Sequence, residues 1–143
     1  MPAEVERVGA VLGLARLHQG DGVYLVAWEA AEPIGHAHLA LTEPPELQDV
    51  SVRAEHRRRG VASALTAAAE RVARARGFDR LRLTVSADSE PAQALYRGLG
   101  YADAGVAPRR VKGTVQLRTG PLEVDDMLLT WEKRLGPEPA APP

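Results

Sequence analysis

The hydrophobic positions change period several times along the chain, and each change marks an element. Val5, Val8, Val11, Leu12, Ala15 and Leu17 follow a mixed helical spacing, interrupted by Gly9 and Gly13. It predicts one amphipathic helix over residues 3–18. Gln19-Gly20-Asp21-Gly22 is a turn signal. Val23–Trp28 and Ile34–Leu41 read as strands joined by a hairpin connection at Glu29–Pro33. Leu47, Val50 and Val52 mark a third strand running into Arg53. After Gly60 the pattern becomes Val61, Leu65, Ala68, Val72 and Ala75, a helical stripe with Glu70, Arg71 and Arg74 on other faces. Gly77 is placed to end that helix in a left-handed conformation ahead of apolar Phe78.

Leu81, Leu83 and Val85 alternate as a buried strand does. Ser89 can cap a short helix with Pro91 in its first turn, carrying Ala92, Leu95 and Tyr96 up to the break at Gly98-Leu99-Gly100. Val111–Leu117 and Asp126–Trp131 read as strands joined by a turn at Thr119-Gly120-Pro121. Helix, three strands, helix, strand, helix and strands predict an α/β chain with a mixed sheet and helices packed on it.

Composition narrows the function classes. At 143 residues and 45% hydrophobic, the chain suits one domain, expected over 1–135 with a disordered Pro- and Ala-rich tail at 136–143. A formal net charge of −1 disfavours a nucleic-acid or membrane-surface binder, and only 4% aromatics disfavour a base-stacking module. The absence of cysteine excludes disulfide scaffolds, cysteine nucleophiles and thiolate metal sites. Glu4 and Glu6 interrupt the start where a signal peptide needs a basic then apolar run, and no stretch reaches membrane-span length. The expectation is a cytoplasmic protein.

The most informative segment is Val52-Arg53-Ala54-Glu55-His56-Arg57-Arg58-Arg59-Gly60-Val61-Ala62-Ser63. A strand ends, a basic turn carries a glycine, and a helix begins. A helix N-terminus presents unpaired backbone N–H groups and the positive end of its dipole, a geometry that receives phosphate. Gly60 and Ala62 lack bulk to block it, and Arg57, Arg58 and Arg59 add charge. The Gly-Lys-Ser/Thr ending of a P-loop is missing, and the same residues also suit a solvated turn.

Arg57-x-x-Gly60-x-Ala62 resembles the Arg/Gln-x-x-Gly-x-Gly/Ala signature of the GNAT superfamily of N-acetyltransferases. Ser89-x-x-Ala92-x-x-Leu95-Tyr96-x-x-Leu99-Gly100-Tyr101 is similar to that family's Asn-x-x-Ala-x-x-Leu-Tyr-x-x-Leu-Gly-Phe segment, and Asp126–Leu135 resembles its closing strand. The likeness spans Val23 to Leu135. It departs in two places: Ser89 replaces the asparagine that helps hold the pantetheine arm, and the region before Val23 is too short for the usual strand plus two helices. The second departure leaves the acceptor pocket open or completed by another subunit, so a homodimer is a candidate assembly.

The resemblance implies acetyl-CoA as acetyl donor, lying where the sheet splays between the Leu47–Val52 and Leu81–Val85 strands. Pantetheine pairs with the backbone of Val50, Ser51 and Val52. The pyrophosphate rests on Arg57, Arg58, Arg59, Gly60, Val61, Ala62 and Ser63, with Ser89, Ala92 and Tyr96 also at the cofactor. Tyr96 matches the tyrosine kept near the CoA sulfur, and a phenol, protonated at pH 7, can donate to the departing thiolate. Backbone N–H groups near Val50–Val52 are candidates for the oxyanion contact.

Glu46, eleven residues before Arg57, resembles in its spacing the base glutamate of the histone-acetyltransferase branch. A regular strand puts it on one face with Gln48, Val50 and Val52; a bulge breaks that parity. Asp49 is the competing base. His36 and His38 share a strand face and are candidates to line the acceptor site or relay a proton; no third ligand accompanies them, so no metal is expected. The acceptor is a small-molecule or peptide amine that the sequence does not name. The rival reading is a non-catalytic acyl-CoA sensor with the same fold.

Overall fold

The structure is a computed structural model; it describes residues 4–7, 22–117 and 119–136, with the backbone alone at 4–7, 115 and 117. Eight strands and two helices appear among the described residues, in the order β1 (Glu4–Arg7), β2 (Gly22–Glu29), β3 (Glu32–Ala40), β4 (Glu46–Val52), α1 (Val61–Ala75), β5 (Arg80–Ser86), α2 (Glu90–Gly98), β6 (Ala102–Asp103), β7 (Arg109–Leu117) and β8 (Gly120–Arg134). The chain divides into two compact units, residues 1–82 with 134–143, and residues 83–133.

In the first unit β1 to β4 form an antiparallel meander. The helix expected over 3–18 is corrected at its start. Glu4 to Arg7 are a strand, with Glu4 opposite Trp28 and Arg7 opposite Leu25. Four residues cannot distinguish the two periods, and the open edge of β2 supplies hydrogen bonds that a helix broken by Gly9 and Gly13 supplies poorly. A strand therefore precedes Val23 where the spacing predicted only a helix. The remainder of that expected helix lies outside the described residues.

Cross-strand partners share a sheet face. Val23, Leu25 and Ala27 stand opposite Leu39, Ala37 and Gly35, and all but the glycine are buried apolar side chains. On this face lies α1, whose buried stripe is Val61, Leu65, Ala68, Ala69 and Ala73. Alanine along the stripe lets the helix approach closely, and Gly35 takes the closest approach. A Cβ there would meet Ser51 O and Val61 Cγ1, each at 3.0 Å, and Leu65 Cδ1 at 3.4 Å. Because Ser51 O is backbone it cannot yield as a side chain does. Gly35→Ala is expected to destabilise the fold by about 1–3 kcal/mol in urea unfolding, as overpacking does.

The helix ends as its sequence predicts. Gly77 has φ 87°, Phe78 N–H donates to Ala73 O at 3.0 Å and Gly77 N–H to Arg74 O at 3.0 Å, the paired bonds of a Schellman stop. The start of β5 then returns beside β4, where Arg82 N–H donates to Pro45 O at 2.9 Å.

In the second unit β8 pairs with β6 at one end, Ala102 opposite Glu132, and with β7 along the rest, Arg109 opposite Leu128 through Leu117 opposite Gly120. Short β6 is not marked by any hydrophobic alternation, and only pairing with β8 makes it a strand. Helix α2 is capped by Ser89, and Gln93 donates to Ser86 O and Ala87 O at 3.0 Å, tying its first turns to the end of β5. Arg97 stacks over Trp131 with its guanidinium carbon 5.5 Å from the ring centroid.

Candidate active site

The turn between β4 and α1 is built by two left-handed residues. Arg53 N–H donates to Ile34 O at 2.8 Å, and a 3-10 turn follows over Ala54–His56. Arg58 (φ 65°) and Gly60 (φ 82°) then redirect the chain into α1. Ala64 N–H is the first to reach back, to Gly60 O at 3.0 Å. Gly60 contributes no side-chain cap, and no acidic residue occupies the first turn. The N–H groups of Val61, Ala62 and Ser63 are thus at the exposed positive end of a fifteen-residue helix. A Cβ built at Gly60 meets nothing within 4 Å, so the space above the helix end is open.

The three arginines of the turn are not equivalent. Arg57 Nε donates to Val52 O at 3.3 Å. Arg59 bonds His56 Nδ1 and Glu29 Oε2, both at 2.8 Å. Because guanidinium only donates, His56 must accept at Nδ1 and carries its proton on Nε2. Arg58 has no side-chain partner among the described residues and stands at an exposed position, which leaves it the uncommitted cation of the three.

The strand before the turn carries a bulge. His38 stands opposite Gln48 and His36 opposite Ser51, with a register shift between them, and Asp49 has φ 54°. Two residues of β4 therefore answer one of β3. The regular-strand expectation is corrected: Glu46 and Gln48 share their face with Ser51, whereas Val52, opposite Gly35, has crossed to the face with Leu47. Aspartate accepts the left-handed conformation at low cost, a preference that does not by itself locate a bulge.

On the face away from α1, beside the bulge, is a cavity of about 660 Å³. Tyr24, Val26, Pro33, Ile34, His36 and Asp49 contribute to its wall. His36 and His38 do lie on one face, but the structure separates their roles. His36 is exposed at the cavity, while His38 bonds Gln48 Oε1 through Nδ1 at 3.0 Å and packs against the Tyr24 ring at 4.5 Å between centroids. A Cβ on Gly22 would stand 2.3 Å from His38 Nε2, so the glycine is what admits that ring. Glu46 is half-buried at the start of β4 and is not among the residues that line the cavity. Among the described residues no three His, Asp or Glu side chains are grouped to hold a metal ion.

The second motif lies in the second unit. Tyr96 is buried on α2, with its ring edge-on to Tyr101 at 6.1 Å. Ser89 Oγ accepts from Ala92 N–H at 3.3 Å, so the serine that replaces the family's asparagine serves as the helix cap. Ala92 is half-buried one turn further on.

A strand, a glycine turn and an uncapped helix in the first unit, and a capped helix with an aromatic pair in the second, are the parts of an acyltransferase fold of the GNAT type. Residues 3–101 match the Acetyltransferase (GNAT) family, and the chain belongs to that family. No curated protein sequence is significantly similar to it. Among solved structures, IAA acetyltransferase from Bacillus cereus ATCC 14579 superposes with a TM-score of 0.73 at 17% identity, over 94% of this chain and 100% of that one. The ribosomal-protein-S18-alanine N-acetyltransferase from Escherichia coli gives 0.72 at 17% identity, covering 94% of each chain. A GNAT family acetyltransferase from Elizabethkingia anophelis with acetyl-CoA bound gives 0.71 at 14% identity, over 93% of this chain and 98% of that one. At these identities the likeness is one of fold. Among the described residues, no helix is long and apolar enough to cross a membrane.

Proposed function

We propose that the protein is an acetyl-CoA-dependent N-acetyltransferase acting on a primary amine by direct attack in a ternary complex. The observation that carries this reading is the uncapped N-terminus of α1 under a basic turn, with open space over Gly60, in a chain of the GNAT family. Val61, Ala62 and Ser63 N–H groups, with Arg58, suit a pyrophosphate there. Val50, Ser51 and Val52 offer backbone for the pantetheine arm, and Ser89 keeps an O–H to donate while its oxygen caps α2. The bound donor supplies an acetyl thioester; that a structural neighbour holds acetyl-CoA supports this choice. Such a donor places the enzyme in the cytoplasm.

The amine arrives protonated and must lose one proton before its nitrogen can attack. Glu46 is the base proposed from spacing and Asp49 from its place in the cavity wall. As the C–N bond forms and the C–S bond breaks, backbone N–H groups of β4 steady the carbonyl oxygen. The base passes the amine's first proton to solvent, takes up the second after attack and returns it to Tyr96, which is proposed to protonate the leaving thiolate. The sum is one acetamide, one thiol and one proton released. Comparing Glu46→Gln with Asp49→Asn separates the bases, since loss of the base lowers turnover at every amine concentration.

Acetyl-CoA at 100 times its Kd is expected to add about 2.7 kcal/mol to stability. A melting temperature unchanged by millimolar acetyl-CoA rejects the reading. The alternative, an acyl-CoA sensor, is favoured by the diversion of Ser89 to a cap. Thiol release from acetyl-CoA across a panel of amines decides between them.

A further inference from the structure

We infer that the acceptor is a small primary monoamine with an apolar body and no carboxylate of its own, seated in the cavity beside the β4 bulge with its ammonium on Asp49. This rests on the acetyltransferase reading and specifies its substrate class. The charges of the cavity wall carry the inference. The Arg53 guanidinium bonds Glu32 and lies 3.9 Å from Glu55, so it is already committed to carboxylates. Asp49 is exposed and its carboxylate has no hydrogen-bond or ion-pair partner among the described residues. Its left-handed backbone (φ 54°) and the register shift set it at the cavity wall. His36, also exposed at the wall, can accept a proton but offers no fixed positive charge.

Among the described residues the site thus offers one unpaired carboxylate and no uncommitted cation, which favours an ammonium and opposes an anion. The rest of the wall is chiefly Val26, Pro33, Ile34, Val52 and the Tyr24 ring, with Ser51 as a neutral hydroxyl among them. These side chains cover an apolar body well, but they give the amides of a peptide few partners, and an unpaired amide is costly to bury. The volume, about 660 Å³, falls within the roughly 300–1,000 Å³ of small-molecule sites. An amino acid would bring a second charge, a carboxylate, toward Asp49 with Arg53 already taken.

The test uses 2-phenylethylamine, phenylalanine and a tripeptide beginning with phenylalanine, three amines with the same apolar body. Wild type is expected to acetylate 2-phenylethylamine with kcat/KM about tenfold or more above either other amine. Asp49→Asn retains left-handed tolerance and hence the bulge, and it should raise KM for 2-phenylethylamine about tenfold, with the melting shift from acetyl-CoA intact. Equal or better use of phenylalanine or the tripeptide overturns the substrate class. A KM within twofold of wild type in Asp49→Asn overturns the anchor. Should acetyl-CoA give neither a melting shift nor free thiol, the acetyltransferase reading fails. The cavity is then judged by 2-phenylethylamine alone: a melting shift present in wild type and lost in Asp49→Asn upholds it as an amine site, and no shift in wild type overturns that too.

Discussion

Tyr96→Phe is expected to lower turnover on the order of 10²-fold while leaving acetyl-CoA affinity within about twofold of wild type. The substitution keeps the ring, its burial and its edge-on contact with Tyr101, and removes only the hydroxyl. If that hydroxyl protonates the departing thiolate, the loss falls on the chemical step and not on donor binding. It should also shrink for a thioester whose leaving thiol is more acidic, because such a thiolate needs less help. Single-turnover rates with two such thioesters provide the measurement. Equal losses for both would assign the defect to packing. A loss confined to donor affinity would advance the sensor reading.

The second large effect is at Gly60. Gly60→Glu is expected to weaken acetyl-CoA binding by about 100-fold or more, through a carboxylate placed where the α1 N-terminus otherwise favours an anion. Two costs add here. The helix end loses its attraction for phosphate, and a non-glycine residue is forced to φ 82°, at roughly 1–2 kcal/mol. Gly60→Ala separates them. It carries the same backbone strain into space that is open within 4 Å, so it should lose stability while retaining most of its affinity. Isothermal titration of the two variants checks this, and near wild-type affinity in Gly60→Glu places the anion elsewhere.

Much of this was legible along the chain because it depends on local physics. The spacing of Val61, Leu65 and Ala68 makes α1, Gly77 with Phe78 stops it, and Ser89 caps α2, each through neighbours within a few residues. The motif around Gly60 is local for the same reason: a strand end, a glycine and a helix start must be contiguous to present an open helix N-terminus.

What the tertiary structure decided depends on partners distant in sequence. Glu4–Arg7 is a strand because β2 offers an edge, and β6 because β8 does. The bulge at Asp49 exists only in register with β3, and it moves Val52 off the face of Glu46, which alternation alone had placed together. Three consecutive arginines read as equivalent charge until Glu29, thirty residues earlier, engages Arg59. His36 and His38 read as a pair until Gln48 and Gly22 hold one of them away from the cavity. Sequence determined the elements and the family, since helix and turn energetics are short-ranged; which side chains remain uncommitted at the site was decided by long-range pairing, because each charge or ring is claimed by whatever the folded sheet brings within reach.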